Sequence, residues 1–116
     1  MAQIDLLSGV EFEHYLAGLF REQGYAVETT ATSGDFGADL ILIRDAARIA
    51  VQAKRWNDRV GVSAVQEAAA ARDYYHCGEA WVVTTSRFTA AAFTLAQKTR
   101  VILVDRTGLA RWIGQR

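Results

Sequence analysis

Residues 38–55, ADLILIRDAARIAVQAKR, hold two runs dense in Ile, Leu and Val, at 38–44 and 48–55, separated only by Asp45-Ala46-Ala47. Such a pattern predicts an antiparallel hairpin. Both strands should be buried, yet the first opens on Asp39 and the second carries Gln52 and Lys54. Aspartate is poorly suited to a strand interior and is otherwise explained as a cap at the strand's start. Gln52 and Lys54 are two residues apart, so they share a face, with Ile49, Val51 and Ala53 on the other. The bland alternative is an edge strand, where lysine guards against aggregation. A two-residue loop at 45–46 would set Asp39 opposite Gln52, and a slip of two would set it opposite Lys54. In either register the three side chains share a face, whereas a shift of one residue would part them.

Upstream of the hairpin, Ser8-Gly9-Val10-Glu11 is a capping box followed by the periodic apolar residues Phe12, Leu16, Leu19 and Phe20, and Gly24 stands where a helix would stop. A helix over roughly 9–23 is expected. The β-rich stretch 25–30 then runs into a small, polar loop at 31–37. Downstream, Ser63 with Gln66 reads as a second capping box opening an alanine-rich helix that ends near Gly78. The alanines at 68–71 would let that helix lie close to a sheet. A strand at 81–85, a helix capped by Thr89 and running to about Thr99, a strand at 101–105 and a final helix capped by Thr107 complete the order α-β-β-β-α-β-α-β-α. The first three strands can meander and the later ones need helical crossovers, so the expected fold is α/β, a central mixed sheet flanked by helices.

On a helical wheel Glu13 falls between Phe20 and Ala17, flanked by Leu16 and Val10, inside the apolar arc. A carboxylate there is costly unless paired. Glu11 and Glu22 fall on the solvent side, and Glu11 already serves the capping box. Glu13 is therefore either half of an ion pair at the core's edge or a functional acid.

A chain of 116 residues with 51% hydrophobic content suits one domain spanning 1–116. No apolar run approaches the ~20 residues of a membrane span, and the N-terminus lacks a signal-peptide layout, so a soluble, cytoplasmic protein without membrane partners is expected. Cys77 is the sole cysteine; an internal disulfide is excluded, and no Cys or His pair has zinc-site spacing. Thirteen basic and thirteen acidic residues cancel, which does not by itself announce nucleic acid. Residues 1–60 hold nine acids and six bases, residues 61–116 four acids and seven bases, a layout compatible with a cation in one region and a polyanion nearby.

Two carboxylates with an amide or backbone carbonyl are hard oxygen donors that suit Mg²⁺ or Mn²⁺. A lysine beside them can hold a phosphate oxygen or stabilise developing charge, which is the equipment of phosphodiester hydrolysis. With Gln52 in place of an acid, such a site carries two negative charges rather than three, and the carbonyls of Gln52 and Ala53 could supply further oxygens.

Gly34-Asp35-Phe36-Gly37-Ala38-Asp39, Val51-Gln52-Ala53-Lys54-Arg55 and Thr84-Thr85-Ser86-Arg87-Phe88, preceded by Phe12-Glu13, resemble the Mrr-like branch of the PD-(D/E)XK nuclease superfamily, from about Ile4 to Trp112. The resemblance implies a restriction-endonuclease-like αβββαβ core and metal-dependent cleavage of DNA, in many relatives as defence against foreign or modified DNA. Carried over by position, Asp39 matches the metal-binding acid, Gln52 and Lys54 the QxK form of the catalytic strand, and Glu13 the first-helix glutamate, with Glu11 its competitor. The implied metal ligands are Asp39, Gln52, Ala53 and Glu13, with Asp35 a secondary candidate. Phe36 departs from the glycine common in relatives and offers a ring to stack on a base. Mrr-like enzymes often carry an additional recognition domain for which these residues leave no room, so a separate recognition subunit is a candidate partner.

Arg55, Trp56, Arg59 and Arg87 mix cations with an aromatic, as DNA-contacting loops do, although surface cations are common without that role. His14 and His76 lack a partner at useful spacing, and Cys77, Trp81 and Trp112 read as packing residues. Three functions remain open: an Mg²⁺-dependent endonuclease, a catalytically weak DNA-binding or assembly module of the same fold, and a structure-selective nuclease akin to Holliday-junction resolvases. Cutting both strands takes two active sites, so a homodimer is expected.

Overall fold

The Ser8 hydroxyl accepts from the Glu11 amide at 3.1 Å and the Glu11 carboxylate accepts from the Ser8 amide at 2.8 Å. This reciprocal box starts helix α1 (Gly9–Glu22) where the sequence places it. The computed structural model describes residues 1–30 and 39–115. Past α1, Gly24 adopts φ +96°, a left-handed conformation that glycine takes without penalty, and the chain turns into β1 (Ala26–Thr29).

The hairpin of β2 (Leu40–Arg44) and β3 (Ala47–Lys54) pairs Leu40 with Val51 and Arg44 with Ala47. Asp45 and Ala46 form the two-residue loop, with Asp45 at φ +56°, a region that aspartate tolerates. From β3 the chain crosses by helix α2 (Val62–Tyr74) to β4 (Glu79–Thr84), and by helix α3 (Ala90–Thr99) to β5 (Val101–Val104), before helix α4 (Arg106–Gly114). The five-stranded sheet is ordered β1-β2-β3-β4-β5, antiparallel through β3 and parallel beyond it. Strand β3 is therefore central. The edge-strand explanation of Lys54 fails, because β3 is hydrogen-bonded to neighbours on both sides.

Phe12, Leu16, Leu19 and Phe20 of α1 join Leu40, Leu42, Ile49, Val51, Val83 and Leu109 in one core on one face. Fully burying each such side chain contributes roughly 1.5–3 kcal/mol. On the opposite face Val65 and Ala68 of α2 and Ala92 and Ala96 of α3 pack with Ala80 and Val82, and Ala71 packs on Ile41 and Ala50. Residues Ala68 and Ala71 do meet the sheet side, as the alanine run predicts, while Ala70 is exposed. Among the described residues no helix is long and apolar enough to cross a membrane.

Three local expectations are corrected. Ser63 does not cap α2: the helix begins at Val62 with Gly61 as its cap residue and no side-chain cap bond. The chain is pinned just before it, where the Val60 amide donates to Arg87 O at 2.8 Å and Val60 O accepts from the Thr89 amide at 3.0 Å. Ser63 thus falls inside the first turn, where its hydroxyl cannot cap. Nor does Thr107 cap α4. Asp105 does, accepting from the Gly108 amide at 3.0 Å, because β5 ends at Val104 and delivers the stronger cap directly to the helix start. Val10, placed by the wheel beside the apolar arc, is 61% exposed. The buried arc is centred near Leu16, which leaves Glu13 at its inner margin and Val10 outside.

Candidate active site

Asp39 continues the β2 ladder past its regular end. Its amide donates to Val51 O at 2.9 Å, and its carbonyl accepts from the Thr30 amide at 3.2 Å. The regular pairing of the hairpin ends at Leu40–Val51, and Asp39 lies one residue beyond it with its amide on Val51 O. Its carboxylate Oδ2 accepts from the Ala53 amide at 2.7 Å. Asp39 is thus tied to the neighbouring strand through both backbone and side chain, which is how an aspartate is accommodated there.

The Glu13 carboxyl arrives from α1 and is the hydrogen-bond partner of Asp39. Burial first, then the charge of Asp39 and their shared hydrogen bond, push Glu13 up to about 7. Asp39 is also raised by burial, against the opposing pull of the Ala53 amide, Glu13 and Lys54. Burial and the neighbouring carboxyl thus favour the protonated form of Glu13. Glu11, its competitor, is exposed and occupied by the capping box, so the geometry brings Glu13 to Asp39 and leaves Glu11 aside.

Gln52 is 4% exposed, and its Oε1 is buried without a hydrogen-bond partner among the described residues, while its Nε2 donates to the Glu67 carboxylate of α2. An unsatisfied buried carbonyl costs about 1–3 kcal/mol, so its orphan state calls for a ligand. Lys54 Nζ lies 3.8 Å from Glu67 Oε2. The sequence reading missed Glu67. The wheel argument that selects Glu13 applies to α2 as well, since Glu67 falls at the margin of the buried stripe of Ala64, Ala68 and Ala71. Glu67 brings a further carboxylate from the opposite helix, engaged with the Gln52 amide and Lys54.

The Thr84-Thr85-Ser86 string fixes the exit of β3. The Thr84 hydroxyl donates to Lys54 O at 2.7 Å, and the Thr85 amide donates to the same oxygen at 3.2 Å. The Trp56 amide donates to Thr85 Oγ1 at 3.2 Å, and Ser86 Oγ donates to Asp58 O at 2.6 Å. Buried threonines thereby hold the backbone of Lys54 while its ammonium stays half exposed.

Beyond Lys54, Trp56 is 54% exposed and Arg59 and Arg87 are exposed. They line a cleft of about 480 Å³ with Asp58, Ser86 and Arg106. A second groove, of about 270 Å³, joins Lys54 to Trp56 and Arg59. Arg55 is engaged with Asn57 at 2.8 Å. A larger cleft, about 560 Å³, lies between α3 and α4 around Phe93, Leu103 and Trp112, and its one acid, Asp105, is used to cap α4. It does not adjoin the carboxyl pair. Asp35 and Phe36 lie outside the described residues. His14 and His76 are exposed, and burial pushes the Cys77 thiol up, the wrong direction for a nucleophile.

Among the described residues no three acids, histidines or cysteines converge as a ready cation cage. The donor set is two carboxyls, the orphaned Gln52 carbonyl and nearby backbone oxygens, all hard donors that fit Mg²⁺ or Mn²⁺ completed by water.

The Mrr_cat family model, described as restriction endonuclease, matches residues 4–113, nearly the whole chain. The chain belongs to this restriction endonuclease family. No curated protein sequence matches it. Its fold is that of the DNA modification-dependent restriction endonuclease AspBHI, at TM-score 0.72 and 22% identity over 88% of this chain and 30% of that one. A repair endonuclease from Pyrococcus abyssi aligns at TM-score 0.64 and 17% identity, over 85% of this chain and 46% of that one. The MspJI restriction endonuclease, solved in complex with a 27-mer oligonucleotide, aligns at TM-score 0.58 and 22% identity, over 87% of this chain and 26% of that one. The chain therefore spans half or less of the length of these structures. The family assignment and these structures agree with the restriction-endonuclease-like α/β core that the resemblance implies.

Proposed function

We propose that this nuclease-family domain hydrolyses phosphodiester bonds in DNA with the help of Mg²⁺ or Mn²⁺. The observation that carries the reading is the Gln52 Oε1, buried and unpartnered among the described residues, on the strand whose Ala53 amide holds the Asp39 carboxylate and which goes on to Lys54. Asp39, Glu13, Gln52 and the Ala53 carbonyl are the oxygen donors that would hold the ion. When bound, the ion polarises the scissile phosphate and lowers the pKa of water. Lys54 binds a phosphate oxygen and stabilises the charge that develops there, its main chain already fixed by Thr84 and Thr85. Trp56, Arg59 and Arg87 then grip the strand beyond the cut, the ring by stacking and the guanidinium groups at phosphates.

The longer relatives align with this chain over a fraction of their length, so target choice is assigned to other segments or to a recognition partner. Two copies acting together would cut both strands, and the setting is cytoplasmic DNA, in the manner of a restriction system. Plasmid cleavage with Mg²⁺ or Mn²⁺, with an EDTA control, tests the reading. Asp39→Ala and Lys54→Ala should each slow cleavage about 100- to 1,000-fold while remaining folded. A folded wild type that leaves plain, branched and methylated DNA intact would instead identify a binding or assembly module, and cutting confined to branched DNA a structure-selective nuclease.

A further inference from the structure

The sequence poses a question that metal chemistry alone leaves open: why residue 52 is a glutamine where a carboxylate would hold a cation more strongly. The answer lies across the sheet, on α2. The Glu67 carboxylate accepts the Gln52 Nε2–H and sits 3.8 Å from the Lys54 ammonium. An ionised carboxylate has only acceptors, so Gln52 can meet it solely with its NH₂ group. That fixes the amide's orientation and turns Oε1 to the other side, where it is buried and unpartnered among the described residues. A glutamate at position 52 would set two acceptor-only groups against each other.

We infer that Glu67 is a positioning residue of the site, which aims the Gln52 carbonyl at the cation and holds Lys54 in place until a phosphate takes over its charge. The inference rests on the metal-dependent reading above and names the residue that makes a neutral donor workable there. The negative charge missing from position 52 is present, moved one layer outward onto a helix. Partners of this kind fix ligand orientation in metal sites generally, and losing one typically weakens metal affinity about 10- to 100-fold.

The test has two readouts. In the metal-free protein, nitrogen-15 NMR should find the Gln52 side-chain NH₂ protons exchanging slowly with solvent in the wild type and markedly faster in Glu67→Ala. In calorimetric titration with Mn²⁺, Glu67→Ala should bind about 10- to 100-fold more weakly than wild type. The reversed pair, Gln52→Glu with Glu67→Gln, keeps the hydrogen bond with donor and acceptor exchanged and should recover the lost affinity. Equal exchange rates in wild type and Glu67→Ala, or equal Mn²⁺ affinities, would overturn the inference. A wild type that takes up no Mn²⁺ defeats the metal-dependent reading itself, a different failure from a wild type that binds Mn²⁺ no better than Glu67→Ala.

Discussion

The two helices that deliver acids to the sheet do so from differently built faces. Helix α1 packs through Phe12, Leu16, Leu19 and Phe20, all fully buried or nearly so, and α2 packs through Ala64, Ala68 and Ala71 with one valine, Val65. Each carries one acid at the margin of its buried stripe. Glu13, beside bulky apolar neighbours, is pushed up by burial and by the charge of Asp39. Glu67, on a helix of small residues, is half exposed and takes a cation and an amide as its partners. The contrast is between an acid set against another carboxyl under a bulky apolar face and an acid set against a cation and an amide beside a face of small residues.

Altering the packing of either face should have the largest effect on stability. Leu16→Ala removes a fully buried side chain from the α1 face and should cost about 2–5 kcal/mol by denaturant unfolding. Ala68→Leu overfills the α2 face and should cost about 1–3 kcal/mol while forcing that helix outward. Equal costs for the two would argue that the faces are packed alike.

A smaller effect separates the acids by pH. Glu13 is raised from 4.5 to about 7, so between these values the folded protein holds a proton that the unfolded chain releases. Metal-free protein should therefore lose stability as pH rises through that window, with the contribution fully present below about 4.5. Thermal melts of Glu13→Gln should show a weaker slope, and an unchanged slope would disprove the raised Glu13 carboxyl. The smallest effect belongs to Lys54→Ala, whose half-exposed ion pair with Glu67 should change unfolding free energy by less than about 1 kcal/mol. A larger loss would mean that α2 depends on that pair for its packing.

Much of this arrangement is legible in the sequence because short-range rules govern it. The two-residue loop at 45–46 determines the hairpin register, and Asp39, one residue past its last pair, accepts from the Ala53 amide of β3. The Ser8–Glu11 box sets the phase of α1 and hence which of two nearby glutamates turns inward. What escaped depends on distant parts of the chain. That β3 is central follows from β4 docking in parallel beside it, which no pattern within 48–55 reveals. Ser63 looks like a cap until Val60 is seen paired near Arg87 and Thr89, and Asp105 displaces Thr107 because of where β5 stops. Glu67 was hidden by its surroundings, since an acid in an alanine-rich helix reads as a solvated face until Gln52 is found against it.

One contact bears on the order in which the molecule can be made. Arg106 donates to both carboxylate oxygens of Asp5, at 2.7 and 2.8 Å, across 101 residues of chain, and to Thr85 O at 3.0 Å. Leu109, just beyond it, fills the same core as the apolar stripe of α1. On the ribosome, where residues emerge in sequence, the turn before α1 has no guanidinium to grip, and the α1 core lacks Leu109, until α4 has been synthesised. The helix that carries Glu13 is thus translated before α4 and fastened only after it.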